Sequence, residues 1–397
     1  MFNLSIKKII LVATAAFAMG LLSPYLVQWM EETPMAAPPI EPEQDKAPIA
    51  SNEFTLRLLK AATIAKPKGN ITLAPDSLAS VLQLMVPLST TEVEQAIKKL
   101  QLPTEQQKSS AYHSAAAYLF ADSAAPLTPE LAQMYVYDVP ITHDPARAFS
   151  EINLRLQAAF GKDIGTPANG ETINENTHLL AINGINITPQ WHIAVSAEDT
   201  KARPFFNANG SMPQVRCMSM YSERYAECPQ GSWKAAAIRL HRSPRAMPET
   251  PDCYLIIIQP TGTSSAHPMA AAMTAEQFSA IRTSLRESTR SCTTLLPRLN
   301  FATAPQDIIP LLKALEIDPL FTSAAPFEKL TQASPWAFNS AAQFCYINMQ
   351  ESTQAAVNSR PAPPTELNFD CNRPFIWFLM PLSSPHAPFA MGVVENL

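Results

Sequence analysis

Near the C-terminus two apolar, strand-like runs are joined by about twenty residues with no element of their own, and this connection restricts the possible folds more than any other feature. The first run, Cys345–Met349, mixes β-branched and aromatic residues as a strand does; the second begins at Phe369 and continues through Phe375-Ile376-Trp377-Phe378. A structureless link of that length inside a compact domain is functional or disordered. Its first half has the pattern of a strand not yet in a sheet. Thr353, Ala355, Val357 and Ser359 share one face, small and mostly apolar; Gln354, Ala356, Asn358 and Arg360 share the other, largely polar. Such alternation suits a half-buried strand. Pro361, Pro363 and Pro364 follow, and each lacks the N–H that a central strand must donate. If all three were buried, the stranded carbonyls would oppose insertion by roughly 3–9 kcal/mol.

Composition removes several function classes. The chain has 397 residues, long for one domain but within reach of a large mixed fold. Hydrophobic residues at 47% can build a substantial core, and a formal charge of −5 gives no reason to expect nucleic acid as a partner. Glycine is scarce (10) and proline abundant (37), and neither glycine-rich phosphate-loop pattern occurs. No nucleophile-elbow or zinc-protease motif is present, and the seven histidines form no triad pattern, so the chain is not expected to be an enzyme. The six cysteines are far apart with no C-x-x-C, so no metal or other cofactor is expected, and disulfide pairing stays open.

At the other end, Lys7 and Lys8 precede the 22 uncharged residues Ile9–Met30, about 33 Å as a helix, and Glu31-Glu32 follow. Residues 1–30 therefore read either as an uncleaved membrane anchor with the bulk of the chain outside, or as a signal peptide with Ala16-Phe17-Ala18 as a small-x-small cleavage site. Both readings place the remainder beyond the cytoplasm. Residues 31–51 form a Pro/Ala/Glu linker of extended, semi-rigid character. The folded domain is expected over residues 52–397.

Along that domain a series of motifs occurs in a familiar order. They are Asn70-Ile71-Thr72-Leu73-Ala74-Pro75-Asp76-Ser77-Leu78, the segment from Leu179 to Trp191, and Thr200…Phe205…Gly210…Val215…Met218. Leu296-Pro297-Arg298, Ile317–Phe321, Glu351-Ser352-Thr353-Gln354-Ala355-Ala356, and Phe369-Asp370-Cys371-Asn372-Arg373-Pro374-Phe375 complete it. In this order the chain resembles the serpin family of protease inhibitors. The resemblance implies an α+β fold with a large mixed central β-sheet, two further sheets, about eight or nine helices and an exposed reactive loop.

It also implies a mechanism. A target protease of the serine or cysteine type cuts the loop, and the segment before the cut enters the central sheet and traps the enzyme. Carried over residue by residue, the loop hinge is Glu351, Ser352, Thr353, Ala355, Ala356 and Val357, and the sheet-opening region comprises Ser77, Asn183 and Trp191. The family length places the scissile bond at Glu366-Leu367; counting back from Phe369 gives Pro363-Pro364 instead. Ser77 also fits a helix N-cap. Several positions depart from the family pattern. Ser352 stands where inhibitors carry Gly, the loop is about three residues short, Arg155 replaces a Trp, Glu316 replaces a Gly, and counting back from Thr353 puts Ala342 at the position of a His in the opening cluster. The competing expectation is a non-inhibitory member of the same fold whose proline-rich loop does not insert. The expected partners are a protease and, through the N-terminal segment, a membrane; a monomer is expected. Arg239, His241, Arg242 and Arg245, and the helical series Arg282, Arg286 and Arg290, read either as solvated basic faces or as a polyanion site.

Overall fold

A computed structural model describes residues 49–397, except 104–113, 162–163, 165, 167, 169, 171–172, 174–175, 242–250, 302–305, 323–324, 332–337, 352–361 and 384–385. The compact unit runs from Ala47 to Leu397, so the readings made for residues 1–30 and most of the linker lie outside the described residues. No described helix is long and apolar enough to cross a membrane.

Sixteen strands are described. In chain order they are β1 (Ile71–Leu73), β2 (Ser114–Asp122), β3 (Tyr137–Val139), β4 (Leu179–Ile187), β5 (Lys201–Pro204), β6 (Gln214–Ser222), β7 (Arg224–Glu227) and β8 (Trp233–Arg239). There follow β9 (Cys253–Pro260), β10 (Cys292–Pro297), β11 (Leu299–Asn300), β12 (Gln306–Asp307), β13 (Ser340–Met349), β14 (Asn368–Asp370), β15 (Phe375–Pro381) and β16 (Ala390–Val394). Nine helices are described; those that matter below are α1 (Ile49–Ala65), α2 (Pro75–Met85), α5 (Pro145–Phe160), α7 (Ala275–Glu287) and α8 (Ile309–Ala314). The others are α3 (Thr91–Lys98), α4 (Pro129–Tyr135), α6 (His267–Ala272) and α9 (Pro319–Thr322).

Three sheets organise the strands. The central one has the order β11-β13-β4-β2-β3, with β12 also on β13; it is mixed, because β13·β4 and β2·β3 are parallel and β2·β4 antiparallel. A second sheet, β1-β16-β15-β9-β8-β7, is antiparallel throughout. Its inner strands β9 and β15 are buried along their whole length, which explains their unbroken apolar runs. The third, β14-β10-β6-β5, packs on the second over Leu296, Met218, Leu255, Trp377 and Leu379.

Helices cover the remaining faces. α1, α2 and α7 close a core with Phe278, Phe378 and Ile256. α5 lies on the central sheet, burying Ile152, Leu156 and Phe160 against Phe120, Leu180, Ile182 and Phe344. Arg155, which stands where the sequence pattern has a Trp, makes a cation–π contact, its guanidinium 4.0 Å over the Tyr137 ring. The second sheet is finished by residues distant in sequence. β1 pairs with β16, and Asn70 hydrogen-bonds Glu395 and Asn396 across 325 and 326 residues.

Candidate functional site: the strand pair beneath the loop

β13 runs straight into the 350–368 segment, so what holds β13 to its neighbour decides whether another strand could enter. That neighbour is β4. The two are hydrogen-bonded in parallel over eight register pairs, from Ser340↔Leu180 to Ile347↔Ile187, with nothing between them. Gly184 allows the contact: a Cβ there would sit 2.6 Å from the Phe344 carbonyl oxygen and 2.7 Å from its ring.

The middle of this pair is locked from below. Ser77 does not cap its helix. Pro75 opens α2 and Ala74 is the N-cap position, which puts Ser77 within the first turn. Its hydroxyl donates to the Ala116 carbonyl of β2 (2.9 Å) and accepts from the Gly184 N–H of β4 (2.8 Å). One residue earlier on β4, fully buried Asn183 accepts a hydrogen bond from the Gln343 amide on β13. Gln343 is itself buried and grips the backbone at the start of α2, accepting from Ala74 N–H (3.0 Å) and donating to Ala74 C=O (3.2 Å). A single neutral side chain thus ties β13, β4 and α2 together.

Ala342, the position that counting back from Thr353 gives for the opening-cluster His, supplies no polar group. The register sets Ala342 opposite Ile182 and Gln343 opposite Asn183, so the polar group is present one residue later.

A second set of contacts holds the start of the loop. Trp191, 3% exposed, donates its indole N–H to the Gln350 carbonyl at 2.7 Å, and pairs as an isolated bridge with Leu240. Glu351 accepts from Arg298 Nε (2.9 Å) and a terminal guanidinium nitrogen (2.6 Å), and from the Thr200 hydroxyl. Burial pushes the Glu351 carboxyl up, but the hydrogen bonds from Arg298 and Thr200 outweigh it and hold the group below its ordinary value. Arg298 and Thr200 were legible only as members of strand motifs; nothing in the sequence paired them with Glu351 across 53 and 151 residues.

The rest of the hinge, Ser352, Thr353, Ala355, Ala356 and Val357, lies outside the described residues. At the far end Ala362, Pro363, Pro364 and Glu366 are exposed. Thr365 shares a hydroxyl contact of 2.6 Å with Thr293, and the half-buried Leu367 accepts from the Thr293 N–H at 2.9 Å, anchoring the segment to the edge of β10.

Among the described residues the arginines of the basic stretches have protein partners. Arg282 is buried against Asn52 and the carbonyls of Pro381, Leu382 and Ser383; Arg290 pairs with Glu227, and Arg239 with Asp252 and Glu223. Arg242 and Arg245 lie outside the described residues. All six cysteines are free, and five are buried. No group of three or more metal-ligating side chains occurs among the described residues.

Comparison with known proteins agrees with this geometry. Residues 125–397 match the family described as Serpin (serine protease inhibitor). Serpin B4 from Homo sapiens is 21% identical over 256 residues, 62% of this chain and 63% of that protein, so the match spans less than two thirds of the relative's length. Among solved structures, uncleaved ovalbumin is similar at a TM-score of 0.72 and 17% identity, covering 88% of this chain and 99% of that one. Serpin-12 of Manduca sexta is similar at 0.71 and 17%, covering 87% and 98%.

Proposed function

The chain belongs to the serpin family, and from that premise we propose that it is an exported protease inhibitor whose 350–368 segment is cut by its target and then added to the central sheet. Serpin loop insertion is itself a standard instance of strand addition and stored strain. The observation that carries the reading here is the direct parallel pairing of β4 with β13, the strand that leads into the segment. A chain folding back from β13 runs antiparallel to both strands. Its insertion would replace one parallel ladder by two antiparallel ones, the more stable arrangement per residue.

Register also lightens the proline penalty. A strand that turns back about Glu351 sets Thr353 across from Met349 and Ala362 across from Ser340, where the β4–β13 ladder ends. Pro363 and Pro364 then fall past the ladder, and only Pro361 opposes insertion, by about 1–3 kcal/mol. Before insertion the segment must leave Trp191, Arg298 and Thr200, and the Gln343–Asn183 contact must part. Glu366-Leu367 remains the proposed scissile bond on loop length. A protease reaching it would have to lift Thr365 and Leu367 off Thr293. Sequencing the new amino terminus tests this: a chain beginning at Leu367 supports the assignment, and one beginning at Pro364 or earlier moves the cut.

A second reading, a serpin-fold binding protein whose loop stays out, draws on the fact that the segment is tied at both ends, by Trp191 and Arg298 at one and by Thr293 at the other. Thermal melting before and after nicking with a nonspecific protease separates the two. Insertion raises the melting temperature by tens of degrees, whereas equal melting of intact and nicked protein removes the inhibitory reading. A covalent band at the summed mass of protein and protease on denaturing gels tests trapping. Export is tested separately, by fractionating cells that express the full chain.

A further inference from the structure

Behind the locked strand pair lies a cleft of about 240 Å³ that the loop mechanism does not use. Its walls are Ala62 and Ala65 of α1, Ile71 and Leu73 of β1, and Ile308, Pro310 and Leu311 at the start of α8. Such a lining suits an apolar body. Polar groups come from both walls, Lys66 and Thr72 on one and Gln306 and Asp307 on the other.

The two charges there are not equivalent. Asp307 is held at the start of α8, where its Oδ1 accepts from the Ile309 N–H at 2.9 Å. Lys66 enters none of the ion pairs found among the described residues. Its chain lies over the turn toward β1, where a Cβ on Gly69 would meet the Lys66 Cε at 3.8 Å. An apolar cleft with one available cation at its rim is complementary to a small molecule carrying an apolar tail and one carboxylate.

Both walls lead to Gln343. On the β1 side, Leu73 precedes Ala74, whose N–H and C=O both bond the Gln343 amide. On the other side, Gln306 of β12 pairs across the ladder with Gln343 itself, and Ile308 N–H donates to the Ala341 carbonyl at 3.0 Å. A body wedged between β1 and β12 therefore braces the backbone that positions the lock.

We propose that this cleft binds an amphipathic monocarboxylate, tail against Ile71, Leu73, Ile308 and Leu311 and carboxylate on Lys66, and that its occupancy restrains β13 through Gln343. The proposal concerns the intact protein and stands whether or not the loop inserts.

Decanoate is the probe, titrated calorimetrically against the full chain at neutral pH and below its micelle concentration. Saturable one-to-one binding is expected, weakened about tenfold in Lys66→Ala and by a similar factor when decanol replaces decanoate. Ala65→Trp, at an exposed position on the rim, is expected to abolish binding with an unchanged melting temperature. Should that variant fail to fold, the decanol comparison and Lys66→Ala carry the test alone. Hydrogen exchange of peptides covering residues 340–349 is expected to slow on saturation. Non-saturable uptake, or equal affinity of Lys66→Ala and the parent chain, overturns the site; saturable binding with unchanged exchange in β13 overturns the restraint.

Discussion

The Gln343 cluster holds β13 itself and the Glu351 cluster holds the chain just beyond its end, and they do it with different chemistry. The first is made of amides, a hydroxyl and backbone groups, with Ser77, Asn183 and Gln343 at 2%, 0% and 3% exposure. Neutral groups at that depth bond strongly to each other because water is absent, and leaving any of them unpaired is costly. The second is an ion pair near the surface, with the Arg298 side chain 40% exposed and that of Glu351 12%. Solvent and salt reach it, so its strength is modest and adjustable. The contrast separates two kinds of restraint: buried amides bond β13 to β4 and α2, while a partly exposed charge pair ties the start of the 350–368 segment to Arg298.

The largest test strikes the closed pair directly. Gly184→Ala forces a Cβ against the Phe344 carbonyl and must part β4 from β13, so a loss of about 3 kcal/mol or failure to fold is expected in urea melts. Next, Gln343→Leu keeps the volume but leaves Ala74 N–H, Ala74 C=O and Asn183 Oδ1 without their partner; about 2–4 kcal/mol should be lost. Glu351→Gln is expected to lose no more than about 1 kcal/mol, because the pair is partly exposed and screened. If it proved as damaging as Gln343→Leu, the contrast drawn above would be wrong.

Acid sharpens the distinction. The folded Glu351 carboxyl titrates below its ordinary value of 4.5, so its contribution is complete above that value and disappears as pH falls through the folded one. Measured as the difference between parent and Glu351→Gln, stability should narrow below about pH 4.5 and stay constant above it. The same difference for Gln343→Leu should be flat across that range, since no group it removes titrates. The smallest effect is ionic. Raising salt from 0.05 to 0.5 M should shrink the Glu351→Gln difference by a few tenths of a kcal/mol and leave the Gln343→Leu difference unchanged.

What could be read in advance divides along the same line. Strands β4, β13 and β15 and the long link between the last two were visible, because continuous apolar runs and a gap of that length have few structural meanings. Asn183 and Trp191 could be singled out because the Leu179–Trp191 segment resembles a family motif. Ser77 was placed correctly beside the sheet by the motif order; only its alternative reading as an N-cap falls, because the helix starts at Pro75 and Ala74 is the cap position. Gln343 could not be singled out from its strand run; only the β4–β13 register sets it opposite Asn183. The Glu351–Arg298–Thr200 contact joins residues far apart in sequence, and an ion pair of this kind leaves no periodic trace.

The closure of the second sheet carries its own consequence. Ile71 pairs with Val393, and Asn70 with Asn396, 326 residues further on. At the ordinary pace of translation, ~5–20 residues per second, tens of seconds separate the birth of the two partners. Through that interval the nascent chain displays the edge of β1 with nothing to dock on it, and chaperones on the ribosome would meet it there.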